Sequence, residues 1–155
     1  MTPAELIDLA RKKGAMIATA ESCTGGLIAG AITDIPGSSD VFDRGFVTYS
    51  NAAKSDMLGV APSTIETFGA VSEEVARAMA NGALKRSAAS IAVSVTGIAG
   101  PGASEHKPEG RVCFGLAQNG HDTLTQTLEF GAIGRADVRR ATVAHALSLI
   151  ANALS

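Results

Sequence analysis

The spacing of hydrophobic and polar positions changes period several times along the chain, and each change predicts an element. Thr2-Pro3-Ala4-Glu5 combines a helix N-cap, a proline at the first helical position and a reciprocal glutamate; Leu6, Leu9 and Ala10 follow at helical spacing up to Gly14. The apolar run 15–20 is too short for a helix. A polar turn follows it at once and helical spacing returns over 25–33, so this stretch reads strand, sharp loop, helix. A second strand is predicted over 41–50, where Phe42, Phe46, Val47 and Tyr49 follow the turn-forming Pro36-Gly37-Ser38-Ser39; short helices are expected over 51–58 and 62–68. Ser72 caps a helix with Glu73 and Glu74 in its first turn, running to about Arg86.

Residues 90–95 predict a buried strand. From 96 to 110 the chain carries Gly97, Gly100, Pro101, Gly102, Ser104, Pro108 and Gly110, too many breakers for regular structure, and reads as one long loop. Strands over 110–118 and 122–130 are joined through Asn119-Gly120, a strong hairpin signal, and 134–154 makes a closing helix with Val138, Thr142, His145 and Leu149 along one face. The order suits the α/β class: a three-layer α/β/α arrangement with a mixed sheet of about five strands, including a C-terminal hairpin. Residues 1–155 are expected to form one domain. In such sheets ligands sit beyond the carboxyl ends of parallel strands, and both unusual loops, 21–26 and 96–110, leave from such ends.

Composition removes several function classes. The formal net charge is −2 with both signs scattered, so no basic surface is expected for nucleic-acid phosphates. The N-terminus has no basic start and apolar run, and no apolar stretch approaches a membrane span, so a soluble cytoplasmic protein without membrane contact is expected. Cys23 and Cys113 have neither zinc-site nor disulfide-framework spacing and read as thiols; no metal and no cofactor are expected. Tyr49 is the only tyrosine and there is no tryptophan. A small Ala-rich domain of this kind is expected to form a homo-oligomer.

Ser22 follows a predicted strand and precedes Thr24-Gly25-Gly26, which opens a helix. Free N–H groups and the positive dipole end there favour an anion, so a nucleophile at this place has oxyanion donors nearby. Losing one such donor costs roughly 2.7–4 kcal/mol in acyl transfer. The alternative is that Ser22 and Thr24 are only N-caps and that Gly26 and Gly30 allow close helix packing. A serine needs a base, and no histidine is tied to it by position: His106 is in the glycine loop, His121 follows the hairpin turn and His145 lies on a helix. A Ser–Lys pair is the other known solution if the lysine is partly desolvated, and Lys54, beside the neutral Ala52 and Ala53, is the candidate. The 96–110 loop offers glycine backbone with the hydroxyls of Thr96 and Ser104 to a phosphate or ribose, but lacks the Gly-Lys-Ser/Thr ending of a Walker loop. A plain surface loop fits it equally well.

Four blocks sharpen these readings: Ala18-Thr19-Ala20-Glu21-Ser22-Cys23-Thr24-Gly25-Gly26, Gly45-Phe46-Val47-Thr48-Tyr49-Ser50-Asn51-Ala52-Ala53-Lys54, Gly69-Ala70-Val71-Ser72-Glu73 and Thr96-Gly97-Ile98-Ala99-Gly100-Pro101. In order and spacing they resemble the CinA C-terminal family of nicotinamide-nucleotide amidohydrolases, over essentially the whole chain. The resemblance implies hydrolysis of the carboxamide of nicotinamide mononucleotide to nicotinic acid mononucleotide and ammonia, in pyridine nucleotide salvage. It implies Ser22 as nucleophile, Lys54 as base, and Tyr49 and Thr96 as assisting hydroxyls. The expected substrate contacts are Thr24, Gly25 and Gly26 at the turn and Gly97, Gly100, Gly102 and Ser104 in the loop. One or more of Arg135, Arg139 and Arg140 would hold the 5′-phosphate. The loop departs from the family pattern in being shorter, with Ala103 where a second glycine is expected. Two rival readings stay open: Cys23 as nucleophile, because thiolates are favoured at helix N-termini, and a non-catalytic nucleotide-sensing or protein-interaction module of competence/damage-inducible type.

Overall fold

A computed structural model describes residues 1–155. The elements are α1 (Pro3–Lys13), β1 (Ile17–Glu21), α2 (Leu27–Thr33), a 3₁₀ turn (Ser38–Asp40), β2 (Phe42–Val47), α3 (Asn51–Leu58), α4 (Pro62–Phe68), α5 (Glu73–Lys85), β3 (Ile91–Gly97), β4 (Arg111–Gln118), β5 (Leu124–Glu129) and α6 (Arg135–Leu154). The sheet order is β2-β1-β3-β4-β5, with β1 parallel to both neighbours and the last two pairings antiparallel. This is the expected mixed five-stranded sheet between helical layers, α1, α2 and α6 on one face and α3, α4 and α5 on the other.

Alternation along the strands gives the two faces different chemistry. Ile17, Ile91, Val93, Val95, Val112 and Phe114 join the side chains of α1, α2 and α6 in the larger core. Ala18, Ala20 and Ala92 point the other way, towards Val75, Met79 and Ala83 of α5. Small residues let α5 lie close: a Cβ on Gly115 would stand 2.5 Å from the Ala76 carbonyl oxygen.

Several boundaries differ from the sequence expectation for local reasons. The strand predicted over 41–50 stops at Val47, which leaves Tyr49 outside it. The helix predicted from residue 25 begins at Leu27, because Gly25 and Gly26 have φ of 58° and 109° and form the turn instead. Asn119-Gly120 does not make a two-residue turn; residues 119–123 all lie between the paired strands. On α6 the buried stripe is Val138, Thr142, Ala146, Ile150 and Leu154, not the stripe through His145 and Leu149. His145 stands at its flank, edge-on to Phe114 and bonded to Gln126 Oε1 at 2.8 Å.

The carboxyl ends of β1 and β3 lie side by side, with Glu21 opposite Val95. Ser22 N–H still donates to Val95 O at 3.1 Å, and Thr48 N–H donates to Glu21 O at 2.8 Å. The first turn beyond β1 is therefore fixed to both neighbouring strands before it reaches α2. No helix is long and apolar enough to cross a membrane.

Candidate active site

Beyond these strand ends lies a cleft of about 350 Å³, lined by Ser22, Cys23, Tyr49, Asn51, Lys54, residues 96–105 and Arg135, with Ala70 and Val71 at its side. Its size falls in the usual range for small-ligand sites, roughly 300–1,000 Å³. The two loops read from the sequence thus share one cavity. Ser50 caps α3 by accepting from Ala53 N–H at 3.0 Å, and the first turn of that helix directs Lys54 inward. Lys54 is only 2% exposed, and its Nζ lies 3.0 Å from Ser22 Oγ and 3.0 Å from Thr48 O.

Burial holds the Lys54 amine below its ordinary range, opposed by the nearby Cys23 thiol and Glu105 carboxylate. The shielding expected from Ala52 and Ala53 is not its source. Ala52 is exposed and Ala53 half-buried, and Lys54 is enclosed by turning its head beneath the β1–α2 turn. With the amine neutral, one N–H can donate to Thr48 O while the lone pair faces the Ser22 hydroxyl. Burial pushes the Cys23 thiol up to about 11, the reverse of the depressed value expected at a helix N-terminus.

The free N–H groups expected at the start of α2 are already occupied. Glu21, 1% exposed, accepts from Thr24 Oγ1 at 2.5 Å, Gly26 N at 3.3 Å, Ile28 N at 2.9 Å and Ala29 N at 3.0 Å. Its charge neutralises the positive end of the helix, where α2 has only Gly26 as N-cap. Cys23 and Thr24 N–H remain without an oxygen acceptor in the protein. From α6, Arg139 donates to Cys23 O at 3.1 Å and to Thr24 O at 3.2 Å. The turn carrying Ser22 is clasped by an acid on its N–H groups and a base on its carbonyls.

The remaining predicted residues divide. Tyr49 is 63% exposed; its hydroxyl accepts from Arg135 at 3.1 Å, and Arg135 also donates to Gly100 O at 2.8 Å, joining two walls of the cleft. Thr96 lines the cleft and donates its hydroxyl to Ala70 O at 2.8 Å. Gly100, Gly102 and Ser104 line it as well, but Gly97 is small for another reason: a Cβ there would meet Val112 Cγ2 at 2.7 Å on the adjoining strand. Thr24 is buried behind the turn, Gly25 packs by Arg139, and Gly26 and Arg140 border a separate groove against α1, where Arg140 pairs with Asp137. His106, His121 and His145 are not on the cleft wall. Glu21, Asn51 and Glu105 were not singled out from sequence.

The α/β/α sandwich thus sets a buried lysine amine within hydrogen-bond reach of a serine hydroxyl, in a cleft beyond its parallel strand ends. The chain belongs to the CinA C-terminal domain family, whose model matches residues 2–154. It is 59% identical over 121 residues to a nicotinamide-nucleotide amidohydrolase PncC of Enterobacter agglomerans, covering 77% of this chain and 74% of that protein. Identity to the protein of the same name from Escherichia coli K12 is 49% over 158 residues, with 97% and 95% covered. A CinA-like protein of Chlorobium phaeobacteroides is 62% identical over 122 residues, 77% of this chain but 29% of its own length. The chain therefore spans under a third of some curated relatives it matches. Among solved structures, competence/damage inducible protein CihA from Agrobacterium tumefaciens superposes with a TM-score of 0.89 at 52% identity, covering 99% of this chain and 98% of that one. A competence or damage-inducible protein from Enterobacter asburiae gives 0.92 at 34% identity, covering 100% and 99%.

Proposed function

We propose that the chain hydrolyses the carboxamide of nicotinamide mononucleotide, with Ser22 as nucleophile and Lys54 as its base. The observation that carries this reading is the 3.0 Å approach of the buried Lys54 amine to Ser22 Oγ on the cleft wall. The names of the two amidohydrolase relatives support the substrate.

Neutral Lys54 takes the Ser22 proton as Oγ attacks the carboxamide carbon. The Cys23 N–H, on the cleft wall and without an acceptor, is the donor left in the turn for the oxyanion, since Gly25 N–H donates to Ser22 O and Glu21 occupies those of Gly26, Ile28 and Ala29. The Lys54 ammonium then returns its proton to the departing nitrogen, the C–N bond breaks and ammonia leaves. Water adds to the Ser22 ester with Lys54 again as base, releasing the carboxylate and restoring the serine. Tyr49 accepts from Arg135 and keeps its own O–H to donate to the substrate. Thr96 has its proton on Ala70 O and offers lone pairs. Arg135, which lines the cleft beside Gly100, suits the phosphate. Arg139 supports the turn, and Arg140 lies away from the cleft.

A thiol pushed up to about 11 argues against Cys23 as nucleophile. Burying a lysine disfavours its charge and costs stability, a cost that a binding module without turnover does not need. The test is ammonia release by the purified protein from nicotinamide mononucleotide. Equal amounts of ammonia and nicotinic acid mononucleotide are expected, and formation of neither would overturn the reading.

A further inference from the structure

Glu105 is the single carboxylate on the cleft wall, where Lys54 and Arg135 are the cations. It forms no ion pair with the protein. It stands in a tight turn closed by Ser104 N–H to Lys107 O at 3.1 Å and Lys107 N–H to Ser104 O at 2.8 Å. Glu105 and His106 have φ of 53° and 62°, a left-handed conformation that side chains rarely adopt. Such strain persists where the surroundings hold it, and here Lys107 Nζ does so by donating to Phe68 O at 2.8 Å and to Val71 O. The turn thus holds the Glu105 carboxylate at the edge of the cleft, with Lys107 Nζ beside it over Gly69, while the nearby Glu109 carboxylate is bonded to Gly102 N–H behind the wall.

We propose that Glu105 is the counter-charge for a cationic ring, selecting N-ribosylated pyridinium amides over neutral amides of the same shape. This rests on the amidase reading above and deepens it. With Arg135 across the cleft, the wall has separated charges suited to a ligand carrying a ring cation at one end and a phosphate at the other. Lys54 is affected too. The Glu105 charge favours its ammonium form in the empty cleft, so a bound cation that offsets Glu105 and repels the ammonium promotes loss of the Lys54 proton. The other titratable groups on the same wall are Cys23 and Tyr49. Those around Glu105 are His106 and Lys107 on its own turn and Asp56 and Glu66 across the adjoining groove.

The test is titration calorimetry on protein carrying Ser22→Ala, which removes turnover, with nicotinamide mononucleotide and with its neutral dihydropyridine form. Adding Glu105→Gln is expected to weaken the cationic nucleotide about three- to tenfold and to leave the neutral one within about twofold. In protein with Ser22 intact, Glu105→Gln should also move the acidic limb of kcat/KM to lower pH. Equal loss for both nucleotides, loss for neither, no binding of either, or an unmoved limb would overturn the proposal. Failure of the unmodified protein to release ammonia would strike the amidase reading alone, because the affinity ratio is read without turnover.

Discussion

Lys54 Nζ lies 3.0 Å from Ser22 Oγ, although one residue sits on α3 and the other on the turn after β1. The contact depends on Lys54 being buried, and burial lowers the affinity of its amine for a proton. Because an ammonium cannot accept the Ser22 proton, the rate should rise with pH through an acidic limb below the ordinary lysine value. Lys54→Arg keeps the charge but offers no usable base, so it should lose about 10²–10⁴-fold in kcat, as should Lys54→Met. Near-normal turnover by Lys54→Arg with an unchanged pH profile would show that only the charge matters.

The same burial has a stability consequence of definite sign. A lysine with a lowered folded value binds more protons unfolded than folded over the interval between the two values, so stability rises with pH across that interval. Below the folded value the full penalty applies. Lys54→Met should therefore stabilise the fold, most strongly at lower pH and less as pH approaches the unfolded lysine value. Thermal unfolding of both proteins across pH 6–10 checks the sign; a gain that grows with pH contradicts it.

Glu21 holds one hydroxyl and three N–H groups at the start of α2. Glu21→Gln places an amide NH₂ against some of those donors and should cost about 2–4 kcal/mol. Denaturant unfolding reads this directly. A midpoint equal to that of the unmodified protein would mean that the carboxylate does not cap α2.

Arg139 donates to the Cys23 and Thr24 carbonyls of the turn that carries Ser22. Arg139→Lys keeps the charge but loses the two-pronged geometry, so kcat should fall several-fold while KM for the nucleotide changes little. A raised KM with kcat intact would instead mark Arg139 as a phosphate ligand.

Gly97→Ala would drive a methyl group into Val112, with the Arg111 carbonyl oxygen at 3.0 Å. The expected cost is about 1–3 kcal/mol, seen as a lower unfolding temperature, and the activity loss should follow from displacement of Thr96. Unchanged stability would return Gly97 to the role of a ligand-facing glycine.

Much of this architecture was legible because period, caps and turn residues agreed: Thr2-Pro3 and Ser72 begin helices where expected, and both unusual loops leave adjacent parallel strands. The Ser22–Lys54 pairing was legible as a candidate, through the need of a serine for a base and through family resemblance. Glu21 was not, since a carboxylate that caps residues five to eight positions onward leaves no adjacent signature. The arginines were inseparable for a related reason. Arg135, Arg139 and Arg140 occupy one helical turn and a half, and only their placement assigns them to the cleft, the turn and a separate groove. Glycines mislead in the same way, because Gly97 answers to a neighbouring strand that pattern alone does not locate.

The most direct measurement is ammonia release from nicotinamide mononucleotide by Ser22→Ala and Cys23→Ala proteins, side by side with the unmodified chain and with folding verified by circular dichroism. Ser22→Ala removes the attacking oxygen and only one small hydroxyl, so it should remain folded and release no ammonia above background. Cys23→Ala removes a buried thiol held protonated, and it should keep most of the activity. An active Ser22→Ala protein beside an inactive Cys23→Ala protein would contradict the serine–lysine assignment.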